Sequence, residues 1–537
     1  MSVKIEETMP LQELLAPFPS QEKEDSNSKS NPALRLYGRR YHKDQTPIEY
    51  LAEFLLVFVS PKCNPDSEEN GEFKFRACEG IGPLEEYWPK DRVSLKLFAF
   101  FPSSKLETRH PVHRQAYLAA IDQLRSAVKG TQAEQEDTVR LIQSLFGGFV
   151  GVAKNRTWAT HTFLPVSNML LARELDWQHS KALGNQELNE WHQAEDCFVT
   201  DRHNFMARGG ELLFLQLANL FSDPEAPEIT EIVKRPEYRH VSHLRLQEIE
   251  HQLQVDLRAI LEDAIRPLNS LANMIERKLC DYEFRKQKGS AKLGWVPAVS
   301  RVEALLFASE MNNICSMPLS SLEKLDLLQT LCSFHVLRSL CFQASRADNQ
   351  TIKTSGFTGN YCWIASDPSA PPRTAIRQLA ETTLGRIDAL LYRVLRRKDL
   401  MPQGVKSSMN EADKNGFEIF KRIAKKIGLV IPPTGRGERF VLNPGHLRFL
   451  VAALVRPGEY LRLNDFYHRV FAHYGIALGG EPLATAQAWS GGSEQKSYGL
   501  DVSIAWVEEA LQQGGFLIEL SDAVSIVHNP GAGEDRF

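Results

Sequence analysis

The feature that most constrains the fold is the order of secondary-structure signals between residues 416 and 537. Residues 417–427 form a basic helical pattern, and residues 444–454 form a second one that opens with proline in its first turn. Pro457 and Gly458 then turn the chain into a short extended piece at 460–463. The segment therefore begins with helices followed by a strand.

The second half of this segment adds two helices and a hairpin. Asn464 is placed to cap a helix, and a Gly-, Ala- and Ser-rich insertion follows at about 477–500. Another helix is predicted from a cap near Asp501, and a two-stranded hairpin turns at 521–522. Helix, strand, helix, helix and hairpin is the order of a winged-helix domain. Residues 416–537 are therefore predicted to form a winged-helix-like module, with a small α/β packing module as the alternative.

The first part of this module is basic. Between Gly416 and Arg462, nine lysines and arginines stand against three glutamates, which gives a local charge of +6. Such a cluster can neutralise phosphates and bind DNA without sequence preference, with an affinity that falls as salt rises. The residues predicted to contact the DNA backbone are Lys421, Arg422, Lys425, Lys426, Arg436, Arg439 and Arg448.

The last predicted helix of the module is the one that would enter the major groove. It carries Glu508 and Glu509, which oppose the approach of phosphates, and its candidates for reading bases are Gln512 and Gln513. The charge distribution thus favours nonspecific backbone contact or protein docking over sequence-specific recognition of DNA.

The whole chain of 537 residues is long enough for several domains, and its pattern predicts a mainly α fold with minor β. We expect five segments along the chain. They are a flexible N-terminal segment at 1–35, a small α+β region at 36–110, a helical region at 111–400 that is either undivided or divided near 230–240, a linker at 401–415, and the winged-helix-like module at 416–537.

Two kinds of periodicity support this division. The apolar or alternating stretches within residues 48–102 predict the strands of a small sheet. Helical spacing begins at Val112 and predicts the later helices. These lie at 112–128, 136–146, 242–278 with a break at Pro267, 300–312, 319–344 and 374–397.

Composition and cysteine usage predict the cellular compartment. The net charge of −4 gives no general attraction to nucleic acid or to an acidic membrane. None of the eight cysteines forms a C-x-x-C pair, which favours a reducing compartment. The N-terminus lacks the pattern of a signal peptide, and the most apolar segment, 51–59, is too short to span a membrane and contains Glu53. We therefore expect a cytoplasmic protein without membrane contact.

The sequence gives little support for any known catalytic motif. The sequence contains no P-loop, and the glycines at 147, 148 and 151 lack the spacing of a dinucleotide site, so they predict a helix break. Asp66, Glu72 and Lys74 follow the acid, acid, lysine order of some nucleases, but Asp66 lies in a predicted turn. No cofactor is predicted.

Two histidine pairs and one segment around a cysteine contain residue types that could serve an enzyme as metal ligands or as a nucleophile. The pairs His110 with His113 and His240 with His243 could each supply two zinc ligands, but zinc requires a third ligand and usually a fourth. Residues 191–203 bring together Cys197, Asp201 and His203 without a recognisable oxyanion hole. A polar connection between helices is the plain interpretation. A metal-dependent nuclease or other hydrolase in the central helical region is the alternative.

Three stretches carry a resemblance to a known group of proteins. They are RTWATHTFLPVSNMLL at 156–171, LLQTLCSFHVLRSLCFQASR at 327–346 and FVLNPGHLRFLVAALVRPGEYLRLNDFYHRVFAHYGI at 440–476. In these stretches the chain resembles large accessory proteins of bacterial anti-phage defence gene clusters, of the Druantia type. The resemblance implies a noncatalytic subunit that binds DNA or partner proteins beside a helicase or nuclease of the same defence system, and it implies no catalytic residue.

Overall fold

The computed structural model describes residues 11–19, 31–38, 45–77, 82–99, 110–147, 167–173, 175–177, 188–199, 209–242, 245–263, 266–285, 289–349, 361–400, 409–490, 505–520 and 524–531. In these ranges the protein is mainly α with minor β, as predicted. Most buried apolar side chains belong to one core cluster that extends from Ala33 to Val527. Elements far apart in the sequence therefore share a core.

The helices are numbered in chain order. Those before residue 245 are α1 (Leu11–Leu14), α2 (Pro32–Tyr37), α3 (Pro47–Val59), α4 (Val93–Ala99), α5 (Pro111–Ala127), α6 (Gln132–Gly147), α7 (Gly209–Ser222), α8 (Pro227–Val233) and α9 (Arg239–Ser242). Those after it are α10 (Leu246–Asp263), α11 (Arg266–Lys278), α12 (Arg301–Cys315), α13 (Ser321–Asn349), α14 (Ala375–Val394), α15 (Met409–Ala412), α16 (Glu418–Lys426), α17 (Pro444–Leu454), α18 (Leu463–Tyr474), α19 (Gly480–Trp489) and α20 (Ala505–Gln513).

The strands are short. They are β1 (Pro17–Phe18), β2 (Glu86–Tyr87), β3 (Asp176–Trp177), β4 (Phe198–Val199), β5 (Ala291–Lys292), β6 (Val296–Pro297), β7 (Trp363–Ile364), β8 (Val430–Ile431), β9 (Arg439–Phe440), β10 (Tyr460–Arg462), β11 (Ile476–Ala477), β12 (Leu517–Glu519) and β13 (Ser525–His528). Among these described strands, one sheet has three members, in the order β10-β13-β12, and the others are two-stranded.

The small sheet predicted within residues 48–102 is wrong. The apolar stretch at its start is α3, and the stretch near its end is α4. Nearly every residue of α3 from Glu49 to Phe58 is buried, so no polar face reveals the helical period in the sequence. The one strand described in this region, β2, pairs with the distant β5.

Gly210 lets α3 and α7 approach closely. A Cβ atom added to Gly210, in the first turn of α7, would lie 2.2 Å from the carbonyl oxygen of Tyr50 and 2.7 Å from the backbone nitrogen of Phe54. The freed backbone N–H of Gly210 donates to the Glu53 carboxylate at 2.8 Å. A carboxylate on α3 therefore accepts a hydrogen bond from an otherwise unpaired N–H of α7.

The later helices agree with the sequence patterns. Helices α5 and α6 follow the spacing that begins at Val112, and α10 and α11 divide beside Pro267. Helices α12, α13 and α14 occupy the predicted segments between 300 and 397, and α13 extends to Asn349. Among them, α10 and α11 keep the polar face that makes a helical period visible in the sequence.

The predicted linker differs from the structure where the structure describes it. Residues 401–408 lie outside the described ranges, but α15 and the π-helical turn Asp413–Phe417 lead directly into α16. Ala412 is buried, and a Cβ added to Gly416 would touch Tyr37. Residues 409–417 are therefore helical and packed against the core, although their sequence is charged. The expected flexible segment falls largely outside the described residues.

The cysteines and the hydropathy of the helices can be compared with the predicted reducing compartment and the predicted lack of membrane contact. Cys197, Cys315, Cys332, Cys341 and Cys362 are buried free thiols, and Cys280 is exposed. Cys63 is disulfide-bonded, which the expected reducing compartment does not predict. In the described part of the chain, no helix combines the length and the hydropathy needed to cross a bilayer.

Candidate interaction site in the C-terminal region

The predicted winged-helix-like segment contains α17, β10, α18, α20, β12 and β13 in that order, with α19 inserted after α18. Asn443 caps α17 by accepting from the backbone N–H of His446 at 2.9 Å, and Pro444 fills the first turn. Helix α18 begins at Leu463, one residue before the predicted cap Asn464, and ends at Gly475 with φ +72°. These caps fix the helices that carry the sheet.

The three-stranded sheet has one buried and one exposed face. Leu461, Val527 and Leu517 lie in one cross-strand row, and the last two are 0% and 8% exposed. Because side chains alternate between the faces of a strand, the next row, Arg462 with Ile526 and Ile518, points to the other side. The first row packs into the core, and the second faces outward.

We call the exposed side the outer sheet face. Its exposed or partly exposed members are Tyr460, Arg462, Ile518, Leu520, Val524 and Ile526. His528 lies on the same side, but it is nearly buried and stacks against the ring of Tyr460 at 4.2 Å. Tyr460 is 56% exposed, Leu520 48%, Ile518 39% and Val524 39%. These four belong to the nine large apolar side chains that are exposed among the described residues. The outer sheet face therefore groups four exposed apolar side chains on one small sheet, which makes it the candidate interaction site.

Among the strands that the structure describes, β12 is an edge strand of this sheet. The backbone N–H of His528 donates to Phe516 at 2.9 Å, and the N–H of Leu520 donates to Val524 at 3.0 Å. In an antiparallel ladder the hydrogen-bonded pairs alternate, so the backbone groups of Leu517 and Glu519 point away from β13. Strand β12 therefore presents backbone donors and acceptors at its outer edge.

Two basic residues of α16, Lys421 and Lys425, are paired with carboxylates within the protein. Lys421 Nζ lies 2.5 Å from the carboxylate of Asp388 on α14 and 3.1 Å from that of Glu438. Lys425 Nζ lies 2.6 Å from the second oxygen of Glu438. Burial opposes ionisation of Lys421, but the two carboxylates outweigh it and raise its pKa. The same pairs lower the pKa of Glu438 against the effect of burial.

Three other residues predicted to contact DNA make contacts within the protein instead. Arg439 is 5% exposed and donates to the carbonyl oxygen of Pro368 at 2.9 Å, so it cannot reach a phosphate in this conformation. Lys426 donates to the carbonyl oxygen of Gln45 at 2.7 Å. Arg448 pairs with Glu323 of α13 at 2.9 Å.

The remaining cations of the segment are the most accessible. Arg422 is 45% exposed and lies 4.0 Å from Glu418. Arg456 donates to the carbonyl oxygen of His240 at 2.5 Å. Arg436 and Arg462 are exposed and form no ion pair with any residue that the structure describes. The local charge of +6 is therefore carried mostly by side chains that are paired with carboxylates or with carbonyl oxygens of the protein.

The predicted base-reading residues lie at the end of α20. Gln512 and Gln513 are both exposed in its last turn, immediately before the turn into β12. Glu508 and Glu509 occupy the preceding turn, and Glu509 is exposed. The acidic character of this helix surface persists in the structure.

A buried charge network lies beneath this module, and sequence reasoning missed it. We use that name for Glu310, Arg338, His473, His240 and His335. Glu310 and Arg338 are fully buried, and the guanidinium binds both carboxylate oxygens. His473 Nδ1 lies 2.7 Å from Glu310 Oε1, and its Nε2 lies 2.7 Å from Nε2 of His240. Because α18 carries His473, the network joins the C-terminal module to the helical body.

Electrostatics favour one protonation state of this network. Burial would raise the pKa of Glu310, but Arg338 and His473 outweigh it and lower the pKa. Burial lowers the pKa of His473, and Arg338 adds to that effect while Glu310 opposes it. Burial and the neighbouring His473, Arg469 and Arg456 together lower the pKa of His240 far below its ordinary value. The carboxylate is therefore ionised and both imidazoles are neutral at pH 7.

The enzymatic alternative gains no support from the described residues. Cys197 is fully buried, while Asp201 and His203 lie outside the described ranges, as does the partner His243 of His240. His113 is 1% exposed and packs on Trp191 at a ring distance of 5.8 Å. The part of the chain that the structure describes contains no group of three metal-ligating side chains.

Comparison of the chain with protein-family models, with curated proteins and with solved structures gave no match.

Proposed function

We propose that the protein is a noncatalytic accessory subunit whose C-terminal region is a winged-helix-like module that binds a protein partner. The order of elements from α17 to β13 and the strand order β10-β13-β12 support the module. The observation that carries the docking function is the outer sheet face, where Tyr460, Ile518, Leu520 and Val524 are exposed together. Burial of such a patch by a partner is favourable by about 25 cal/mol per Å² of apolar surface.

The charges of the module favour a protein over DNA as the main partner. Lys421, Lys425 and Arg448 lie within 3.1 Å of protein carboxylates, and Arg439 is buried. Contact with phosphates would have to break these pairs before releasing counterions from DNA. DNA binding in this proposal is an auxiliary, nonspecific contribution of the few exposed arginines.

The setting we propose comes from the resemblance to accessory proteins of anti-phage defence clusters. In that setting the partner is the helicase or nuclease encoded beside this protein, and both act in the cytoplasm. The accessory chain would position its partner and leave the chemistry to it.

The test is copurification with a matched surface control. Tagged full-length protein is purified with the products of the adjacent genes, as the wild type and with Ile518→Asp plus Leu520→Asp. Leu141→Asp is the control, because Leu141 is 63% exposed on α6 in the helical body. We expect one neighbouring product to copurify with the wild type and the control and to be lost from the double variant. Retention by the double variant, or the absence of any such partner, would overturn the proposal.

A further inference from the structure

Resting on the proposed function, we infer that the partner docks an amphipathic helix with an acidic flank across the outer sheet face. Within the strands, that face carries one charged outward residue, Arg462, in a cross-strand row with Ile526 and Ile518. The surface is therefore an apolar strip with a positive charge at its β10 side. A complementary partner presents apolar side chains to the strip and a carboxylate at that side.

The dimensions of the face match a helix. Two interstrand spacings separate β10 from β12, which corresponds to about 9–10 Å. The diameter of a helix with its side chains is about 10–12 Å. A helix lying along the sheet can thus contact Ile518 and Ile526 with one apolar stripe while a residue on its flank reaches Arg462. Residues three and four positions apart on the partner would supply these contacts.

A second copy of the chain fits this surface less well. Stable dimers bury at least about 600 Å² per partner. Strands of three, three and four residues offer a smaller face than that. Packing two outer faces together would also place Arg462 of each copy on apolar side chains without a carboxylate, because the outward-facing strand residues include no acid.

Addition of a strand to the outer edge of β12 explains fewer of the observations. An added strand would pair with the backbone of Leu517 and Glu519. It would lie about 5 Å from β12, on the side away from β13. It would lie about three spacings from β10, or roughly 14 Å, which is beyond the reach of the Arg462 side chain. A helix across the face uses both the apolar row and the arginine.

The experiment is an unbiased selection of peptides against the full-length protein. A displayed library of random helical peptides is selected on the wild type and counter-selected on the Ile518→Asp, Leu520→Asp variant. We expect the enriched peptides to carry an apolar stripe of helical period with Asp or Glu on one flank. Their affinity for Arg462→Glu should fall about tenfold, and replacing their acids by lysine should restore binding to that variant.

Two controls make the result decisive. Arg140→Glu reverses an arginine on α6 whose side chain is 74% exposed, far from the sheet in the sequence, and should leave peptide binding unchanged. Leu520→Ser alone is a milder change for the case in which the double variant unfolds. Enriched peptides without an acidic excess, with a two-residue period, or with equal affinity for Arg462→Glu would overturn this inference. The neighbouring-gene partner could still copurify in that event, so the proposed function would stand on its own test.

Discussion

The guanidinium of Arg338 donates to both carboxylate oxygens of Glu310, at 2.5 and 2.8 Å, and neither side chain is exposed. The two residues lie on α13 and α12, and the same carboxylate contacts His473 on α18. Three helices, one of them in the C-terminal module, thus meet at one buried negative charge. The orientation of that module toward the helical body depends on this charge being satisfied.

Breaking this ion pair should destabilise the protein strongly. We expect Arg338→Met to lower the free energy of unfolding by about 3–5 kcal/mol, because it leaves the Glu310 carboxylate buried without its main partner. The measurement is urea-induced unfolding at pH 7. Adding Glu310→Gln to Arg338→Met should recover part of the loss, since the uncompensated charge is then removed. Equal stability of the wild type and Arg338→Met would show that the carboxylate takes up a proton at little cost.

Acid should loosen the same network. The pKa of His473, of His240 and of His335 is lowered by burial, and Arg338 lowers that of His335 further. When the pKa of a histidine is lower in the folded state than in the unfolded state, its neutral form favours folding. This contribution is fully present at pH values above the unfolded-state pKa of about 6.5. That stability is lost as the pH falls below it, by about 1.4 kcal/mol per pH unit for each histidine.

Unfolding free energies measured between pH 7.5 and 5 test this expectation. His473 donates its Nδ1 hydrogen to Glu310, so its Nε2 accepts and His240 must carry hydrogen on Nε2. His240→Gln preserves a donor there and should give a shallower pH slope. His468→Gln changes a half-exposed histidine on α18 and serves as the control. A slope unaffected by His240→Gln contradicts the prediction.

The close approach of α3 and α7 predicts a sensitive glycine. Gly210→Ala would place a methyl group 2.2 Å from the Tyr50 carbonyl oxygen, and backbone atoms cannot move aside as a flexible side chain can. We expect a loss of about 1–3 kcal/mol or more from overpacking, measured as a lower midpoint of thermal unfolding. Gly385→Ala is the matched control, because a Cβ there meets no atom within 4 Å and α14 should be slightly stabilised.

These elements show what the sequence could and could not reveal. Helices with a polar face, such as α10 and α11, are visible as a 3.6-residue period. The sequence of α3 predicts a strand because the helix is buried on nearly all sides and shows no polar face. The contact that requires Gly210 joins residues more than 150 positions apart. Burial by distant elements is not encoded in any local pattern.

The candidate site was predictable to a similar degree. The hairpin and its apolar residues follow from local alternation, whereas their exposure depends on the register of β12 with β13. The charge count from Gly416 to Arg462 overstated the basic surface because Asp388 and Glu323, which lie outside that window, neutralise Lys421 and Arg448. The buried charge network requires four separate segments to meet, and of its members only His240 was singled out in the sequence, as a candidate zinc ligand.

The salt dependence of DNA binding measures how many cations are truly available. Each phosphate contact contributes about −0.9 to the slope of log K against log salt concentration. If only the exposed Arg436 and Arg462 contact the duplex, the slope should be about −2. The seven residues predicted from the sequence would together give about −6. Fluorescence anisotropy of a labelled duplex at several salt concentrations separates these values.

Two charge-reversal variants then identify the contacts. Arg436→Glu should lower DNA affinity and make the slope shallower without changing stability. Lys421→Glu should instead lower stability, because it places a third carboxylate beside Asp388 and Glu438, with little effect on the slope. A wild-type slope near −6 that Lys421→Glu reduces would mean that the α16 lysines leave their carboxylates for phosphates. DNA would then replace a protein as the main partner of this module.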